Sequence, residues 1–149
     1  DGNQNFQNDK FFRDNENLKT TLSQAFSARI IDGLTFNVSG NKLNAILNQR
    51  SQDMLAANNW NVVQYAVLTC MMAQVAGLEP GELVHVIADA HIYDRHIPLI
   101  EEIIANEPKA APKFIIDPEV DDFYKFTRDS FKMEGYEFSD FSGKIPVAV

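Results

Sequence analysis

Cysteine, long apolar runs and an export leader are scarce or missing in this chain of 149 residues. Its single cysteine, Cys70, cannot form an internal disulfide, which fits a reducing compartment. Its longest apolar runs, such as 65–68 and 70–73, are far shorter than the ~20 residues needed to cross a bilayer, so no membrane span is predicted. No basic and apolar leader opens the sequence, and we therefore expect a cytoplasmic location.

Positive charge is scarce as well: 13 Lys and Arg stand against 21 Asp and Glu, a net charge of -8. This balance argues against a nucleic acid polymer as partner, because a phosphate backbone needs a basic surface. A single mononucleotide needs only one or two cations and stays open. His85, His91 and His96 are the only histidines, and neither an HExxH nor a paired-cysteine spacing is present, so no metal site is predicted.

The chain is nevertheless 45% hydrophobic and 11% aromatic, which is enough for one packed domain. Residues 1–33 differ from the rest. The first 17 are rich in Asn, Gln and Asp and are predicted to be a poorly ordered or partner-dependent arm, followed by a short helix over Leu18–Arg29. Residues 34–149 are predicted to form the folded domain.

Periodicity predicts alternating strands and helices from Leu34 onward. Leu34–Val38 and Leu43–Gln49 read as strands joined by a tight turn at Ser39-Gly40-Asn41. A helix to about Ala76 follows, with an Asn at 58, 59 or 61 as N-cap and Gly77 just after its end. The predicted remainder consists of a turn at Glu79-Pro80-Gly81, a strand over Glu82–Tyr93, a helix over Ile97–Asn106, a strand over Lys113–Ile116 and an aromatic-rich tail.

The strand Glu82–Tyr93 alternates most clearly. Its even positions from Val84 to Ile92 are all apolar, which predicts that this face is the core. Asp89, His91 and Tyr93 share the other, mixed face, where an imidazole and a phenol could hold a sugar hydroxyl. A half-buried strand that uses the same groups to bind neighbouring backbone is an equally good interpretation.

The string Asn48-Gln49-Arg50-Ser51-Gln52-Asp53 is the second polar cluster. A guanidinium with a neighbouring hydroxyl suits an anion such as phosphate. Strand geometry puts Arg50 on the face opposite Ser51 and Asp53. Arg50 and Ser51 could therefore reach one phosphate only if the strand bends there. The alternative is a solvated strand end. Cys70 lies on an apolar helix stripe, which favours a packed and unreactive thiol.

Four strings occur in an order that resembles thymidylate synthase: QRSQD, WNVVQYAVLT, GLEPGELVHVIADAHIYDRHI and a terminal PVAV. The likeness runs from about Leu34 to Val149, the C-terminal portion of that enzyme, and AANNWNVVQYAVL is similar to its clostridial branch. The resemblance implies an α/β (α+β) fold with a mixed sheet packed with helices, without the N-terminal part, and a homodimer through packed sheets. It also implies methylation of dUMP to dTMP with 5,10-methylenetetrahydrofolate as co-substrate.

Site residues follow from the same resemblance. Arg50 and Ser51 match the phosphate-binding pair, and Asn61 matches the asparagine that reads the uracil edge. His91 and Tyr93 match the pair that binds the deoxyribose 3′-hydroxyl. Asp53 matches an aspartate near nucleotide and folate, and Val149 matches the terminal residue that closes over the ligands.

One departure bears on activity. The family's nucleophilic Cys precedes the phosphate-binding Arg by twenty residues, a position that falls at Ile30, and 29–32 contain no thiol. The 149 residues are therefore expected to be inactive by themselves. The alternatives are a non-catalytic nucleotide-binding or structural remnant and a sibling pyrimidine hydroxymethylase. Asn61 disfavours a cytosine specialist, for which a carboxylate is expected at that position.

Overall fold

A computed structural model of the chain describes residues 33–141 and 143–146. The predicted polar arm, the predicted helix over Leu18–Arg29, Ile30 and Val149 lie outside the described residues.

The domain begins with an antiparallel hairpin, as the sequence predicts. Strand β1 covers Leu34–Ser39 and strand β2 covers Lys42–Asp53, and Gly40 has the positive φ of 60° that the two-residue turn between them requires. Alternate residues of both strands face the core, which among the described residues contains the buried side chains of Leu34, Phe36, Leu43, Ala45, Leu47, Met72 and Ala73. Strand β2 is longer than predicted, because it continues through the polar string to Asp53.

Helix α1, Asn58–Val75, connects β2 to a parallel strand that pairs with β2 on the edge opposite β1. Its N-cap is Ala57, which has no capping side chain, so the prediction of an asparagine cap is wrong. Gly77 follows the C-terminal end with φ of 68°, as predicted. Tyr65, Leu68 and Met72 of α1 pack into the core together with the side chains of the sheet.

Strand β3 covers Glu79–His91, so two predicted features are wrong. The string Glu79-Pro80-Gly81 is not a turn but the first part of the strand, where Glu79 pairs with Lys42. The register shifts between Leu43 and Ala45, and the Asn44 side-chain oxygen accepts the Glu82 N–H at 2.9 Å there. Proline is tolerated at this place because strand ends and bulges leave N–H positions unused. At the other end Tyr93 lies beyond the strand.

The prediction that the even positions of β3 face the core is wrong. Val84 and Val86 are 46% and 48% exposed, whereas Leu83, His85 and Ile87 on the other face are half-buried. The reason is that α1 packs on the face that carries the odd positions of β2 and β3. Alternation shows that a strand has two different faces, but not which one this chain covers.

The remaining elements follow β3. A 3-10 turn at Asp94–His96 leads into helix α2, Ile97–Ile104, which ends two residues before the predicted Asn106. Strand β4, Lys113–Ile116, is confirmed and pairs antiparallel with β5, Phe131–Glu134. Two further 3-10 turns, Phe123–Lys125 and Arg128–Ser130, lie between them. Phe123, from the aromatic-rich tail, packs against the core.

The first sheet is therefore mixed, in the order β1-β2-β3, with one antiparallel and one parallel pairing, and α1 packs on it. This architecture agrees with the predicted α+β class. Among the described helices, none is long and apolar enough to cross a membrane.

Candidate functional site

The polar residues singled out in the sequence gather at the carboxyl ends of two parallel strands. Ser51 pairs with Asp89 and Asp53 pairs with His91 across β2 and β3. The first turn of α1 starts five residues after Asp53 and brings Asn61 to the same end. Clefts at the carboxyl ends of parallel strands are the usual ligand sites of sheets with such crossovers. The topology thus concentrates hydrogen-bonding groups at one edge.

Arg50 and Ser51 lie on opposite faces of β2. Arg50 is exposed, whereas the Ser51 hydroxyl donates to an Asp89 carboxylate oxygen at 3.3 Å. The strand passes through both residues without a shift of register, since its irregularity lies at 43–45. The bend that would turn both toward one phosphate is not present, so the structure does not bring this pair together.

Asp53 ends β2 with a tightly held carboxylate. Its Oδ1 accepts hydrogen bonds from the backbone N–H of Leu55 at 2.9 Å and of Ala56 at 3.0 Å. Burial acts to raise the pKa of Asp53, but these two hydrogen bonds and the nearby imidazoles of His96 and His91 outweigh it, so the pKa lies below its ordinary value of 3.8. The group is therefore an anion at neutral pH and shapes the turn into α1.

A chain of side-chain amides connects the strand end to the helix. His85 Nε2 lies 2.8 Å from Gln49 Oε1, and Gln49 Nε2 donates to Gln52 Oε1. Asn61 Nδ2 also donates to Gln52 Oε1, at 3.0 Å. Gln52 is 1% exposed, although its even position on β2 is that of the exposed Arg50. Asn61 was predicted as a site residue, whereas Gln52, Gln49 and His85 were not. The amide side chains of the string before the helix were the available signal.

The predicted cluster of Asp89, His91 and Tyr93 is partly assembled. The rings of His91 and Tyr93 lie edge to face with centroids 5.2 Å apart, and His91 Nδ1 lies 3.6 Å from an Asp89 carboxylate oxygen. Tyr93 leaves the strand and also contacts the ring of His96, at 5.4 Å. The imidazole and the phenol are thus adjacent, and each carries a group that can donate or accept a hydrogen bond.

His96 is a buried residue whose role the sequence analysis missed. It is 1% exposed, and its Nε2 donates to the Pro146 carbonyl oxygen at 3.0 Å. Its Nδ1 lies 3.9 Å from Asp53 Oδ1 and is the one buried side-chain nitrogen or oxygen without a hydrogen bond in the described part of the chain. His96 therefore ties the segment near the C-terminus to the strand end that carries Asp53. The spacing Tyr93-Asp94-Arg95-His96 gave no indication of this.

Cys70 lies elsewhere, in the middle of α1. Together with Phe114, Ile116 and other residues it lines a cavity of about 410 Å³. Burial raises the pKa of the Cys70 thiol, which disfavours the thiolate and agrees with the prediction of a packed cysteine. Within residues 33–141 and 143–146, no group of three or more His, Cys, Asp or Glu side chains could hold a metal ion.

Comparison with known proteins adds to this geometry. The family model described as thymidylate synthase matches residues 32–149. Among solved structures, the chain is similar to the thermostable thymidylate synthase A from Bacillus subtilis, with a TM-score of 0.72 and 41% sequence identity. That match covers 78% of this chain and 41% of the Bacillus chain, so the present chain spans about two fifths of the length of this relative.

Proposed function

The chain belongs to the thymidylate synthase family, and on that premise we propose that it carries the nucleotide-binding portion of such an enzyme. Its ligand is dUMP, which the family methylates to dTMP with 5,10-methylenetetrahydrofolate. The observation that carries the proposal is the meeting of Ser51, Asp53, Asn61 and His91 at the carboxyl ends of β2 and β3 and the start of α1. No metal takes part.

Each part of the nucleotide has candidate partners. The family resemblance assigns Arg50 and Ser51 to the phosphate, and because they lie on opposite faces of β2, the end of this strand must bend for both to contact one phosphate. His91 and Tyr93 bind the deoxyribose 3′-hydroxyl, and Asn61 reads the uracil edge. The contact of the His91 and Tyr93 rings supports the second of these assignments. A phosphate at Ser51 requires the Asp89 carboxylate, whose side chain is 68% exposed, to turn toward solvent, because two anions repel each other there.

Asp53 and Val149 are assigned to the folate side of the site. The lowered pKa of Asp53 supports an anion that orders the Leu55 and Ala56 N–H groups and so shapes the wall next to the nucleotide. The link from His96 to Pro146 supports a terminal segment anchored close to the same strand end.

We propose that the 149 residues by themselves do not catalyse the transfer of a carbon unit to dUMP. The reaction requires a thiolate that attacks C6 of the pyrimidine, and the only thiol of the chain is Cys70. Its raised pKa and its place beside Phe114 and Ile116 do not suit that role. We expect no folate-dependent release of tritium from [5-³H]dUMP; turnover well above the blank would contradict this.

Binding of dUMP tests the proposal directly. We expect weak binding in an NMR titration, weaker than micromolar, because part of the family's phosphate site falls outside this portion of the enzyme. Arg50→Ala removes charge-assisted hydrogen bonds of about 1.5–3 kcal/mol and should weaken binding at least tenfold. Arg128→Ala, at an exposed arginine outside the proposed site, is the control. Absence of dUMP binding at millimolar concentration would overturn the proposal. The alternative that the chain is a structural remnant would then remain.

The proposed assembly is a homodimer through the face of the sheet that no described element covers, called the uncovered face below. This face carries Ile46, Val84 and Val86, each exposed by 38% to 48%, together with Ala88 and Ala90. A contiguous apolar surface of this kind favours association, and a two-fold contact is the commonest closed solution. The net charge of -8 opposes it weakly, because salt screens exposed charges beyond about 8 Å.

Two finer points belong to the same proposal. The string AANNWNVVQYAVL supports a place near the clostridial branch of the family. The single free thiol supports a cytoplasmic location.

A further inference from the structure

The amide chain at the start of α1 has a fixed direction. Gln49 Nε2 has two hydrogens and two acceptors, the Ser51 carbonyl oxygen at 3.0 Å and Gln52 Oε1. Gln49 Oε1 faces His85 Nε2, so this ring nitrogen carries its proton. If the Gln49 amide turned over, its oxygen would face two acceptor oxygens, which is unfavourable in a half-buried place.

Gln52 Oε1 is consequently the acceptor for Asn61. Asn61 Nδ2 donates to it at 3.0 Å, while Gln52 Nε2 donates to Asn58 Oδ1 at 3.4 Å. Because Gln52 is 1% exposed, water cannot readily replace these partners. If the Asn61 amide turned over, its Oδ1 would oppose Gln52 Oε1, and the buried oxygen would lose a hydrogen bond.

We infer that Gln52 is a positioning residue that makes the site select uracil over cytosine, an inference that rests on the proposed function. The hydrogen bond from Asn61 Nδ2 to Gln52 Oε1 uses one of the two Nδ2 hydrogens. In the described part of the chain the Asn61 side chain makes no other hydrogen bond. Oδ1 and the second Nδ2 hydrogen therefore remain for a base. They match uracil, in which N3–H donates and O4 accepts. Cytosine reverses both groups and needs the Asn61 amide turned over.

The alternative is that Gln52 only fills space and satisfies polar groups below α1. The two roles predict different results for base selection. A merely structural residue changes the affinity for both nucleotides alike, whereas a positioning residue changes their ratio. Gln52→Met keeps the length of the side chain and removes its polar atoms. Gln52→Glu keeps an oxygen that accepts from Asn61, and Gln64→Met removes an exposed glutamine of α1 as the matched control.

The experiment is an NMR titration of the 149-residue chain and the three variants with dUMP and with dCMP. We expect the unchanged chain and Gln64→Met to prefer dUMP by about tenfold to a hundredfold, the discrimination of one bidentate pair. Gln52→Met should reduce this preference to less than about threefold, and Gln52→Glu should retain most of it. The inference would be overturned if Gln52→Met kept the preference for dUMP. It would also be overturned if Gln52→Glu lost this preference as Gln52→Met does.

A measurement without nucleotide separates this inference from the proposed function. In the free protein, one Asn61 Nδ2 proton should be shifted downfield by its hydrogen bond and show a nuclear Overhauser contact to the Gln52 side chain. Gln52→Met should remove this downfield shift. Absence of that contact would overturn the positioning role even if dUMP binds. If the contact is present but neither nucleotide binds, the proposed function and the selection of uracil fail together.

Discussion

The two faces of the β1-β2-β3 sheet carry similar apolar side chains in different surroundings. Leu47 on the face covered by α1 is 2% exposed, whereas its neighbour Ile46 on the other face is 38% exposed. On β3 the more regular apolar row, which includes Val84 and Val86, lies on the uncovered face. Hydrophobic alternation therefore marks surfaces that need a partner, whether that partner is the same chain or another molecule.

The largest effect is expected from truncation on the covered face. Leu47→Ala should lower the free energy of unfolding by about 2–5 kcal/mol, because it leaves a cavity in the core. Ile46→Ala, its control on the uncovered face, should cost less than about 1 kcal/mol when unfolding is measured below the dissociation constant of the proposed dimer. Urea unfolding measures both. Equal costs would mean that the second face is covered as well.

The next effect concerns association. A charge on the uncovered face, Val86→Asp, should raise the dissociation constant of the proposed dimer at least about tenfold, because an unpaired carboxylate would be buried in the contact. Gln64→Asp on the exposed side of α1 is the control. Light scattering should give about 34 kDa, twice 16.8 kDa, for the unchanged chain and the control. A monomer of the unchanged chain at micromolar concentration would refute the dimer.

A smaller effect is expected at the polar end of the covered face. The pKa of Asp53 is lowered on folding, so this carboxylate stabilises the fold above about pH 4, and the contribution disappears as the pH falls through its folded pKa. Asp53→Asn should therefore cost about 1 kcal/mol at pH 7 and almost nothing near pH 2. Asp94→Asn is the control, and urea unfolding across pH measures both. A cost independent of pH would show that charge is not the reason.

The smallest effect concerns α1 itself, the element that makes the two faces different. Cys70 is half-buried and burial raises the pKa of its thiol, so alkylation by iodoacetamide at pH 8 should be at least about twofold slower in the folded than in the urea-unfolded chain. The unfolded chain serves as its own control. Equal rates would place the thiol in solvent, on a side of α1 that nothing covers.

Much of the fold was predictable because its signals are local. The hairpin turn at Gly40, the strand Lys113–Ile116 and the helix end before Gly77 each depend on a few neighbouring residues, and the structure has all three. The string Glu79-Pro80-Gly81 misled because its turn chemistry was overridden by pairing with β2, a contact about 37 residues away along the chain.

The candidate site was predictable only in part. Asp53 and Asn61 were predicted from a family resemblance, and His91 and Tyr93 were predicted from strand alternation as well; all four lie near the carboxyl ends of β2 and β3. Gln52 and His96, each 1% exposed, were missed, because a buried polar residue is recognised only when its partners are known. The partners of Gln52 come from β2 and α1, and those of His96 come from the strand end and the C-terminal segment.

The sequence by itself determined the order and type of most elements and the family, because these depend on local patterns and on motif strings. Only the tertiary structure decided which face of the sheet α1 covers, that Arg50 and Ser51 diverge, and that one glutamine holds Asn61. These features depend on the register between β2 and β3 and on the packing of α1 over one face. Such long-range contacts are set by the fit of whole elements, which no local pattern contains.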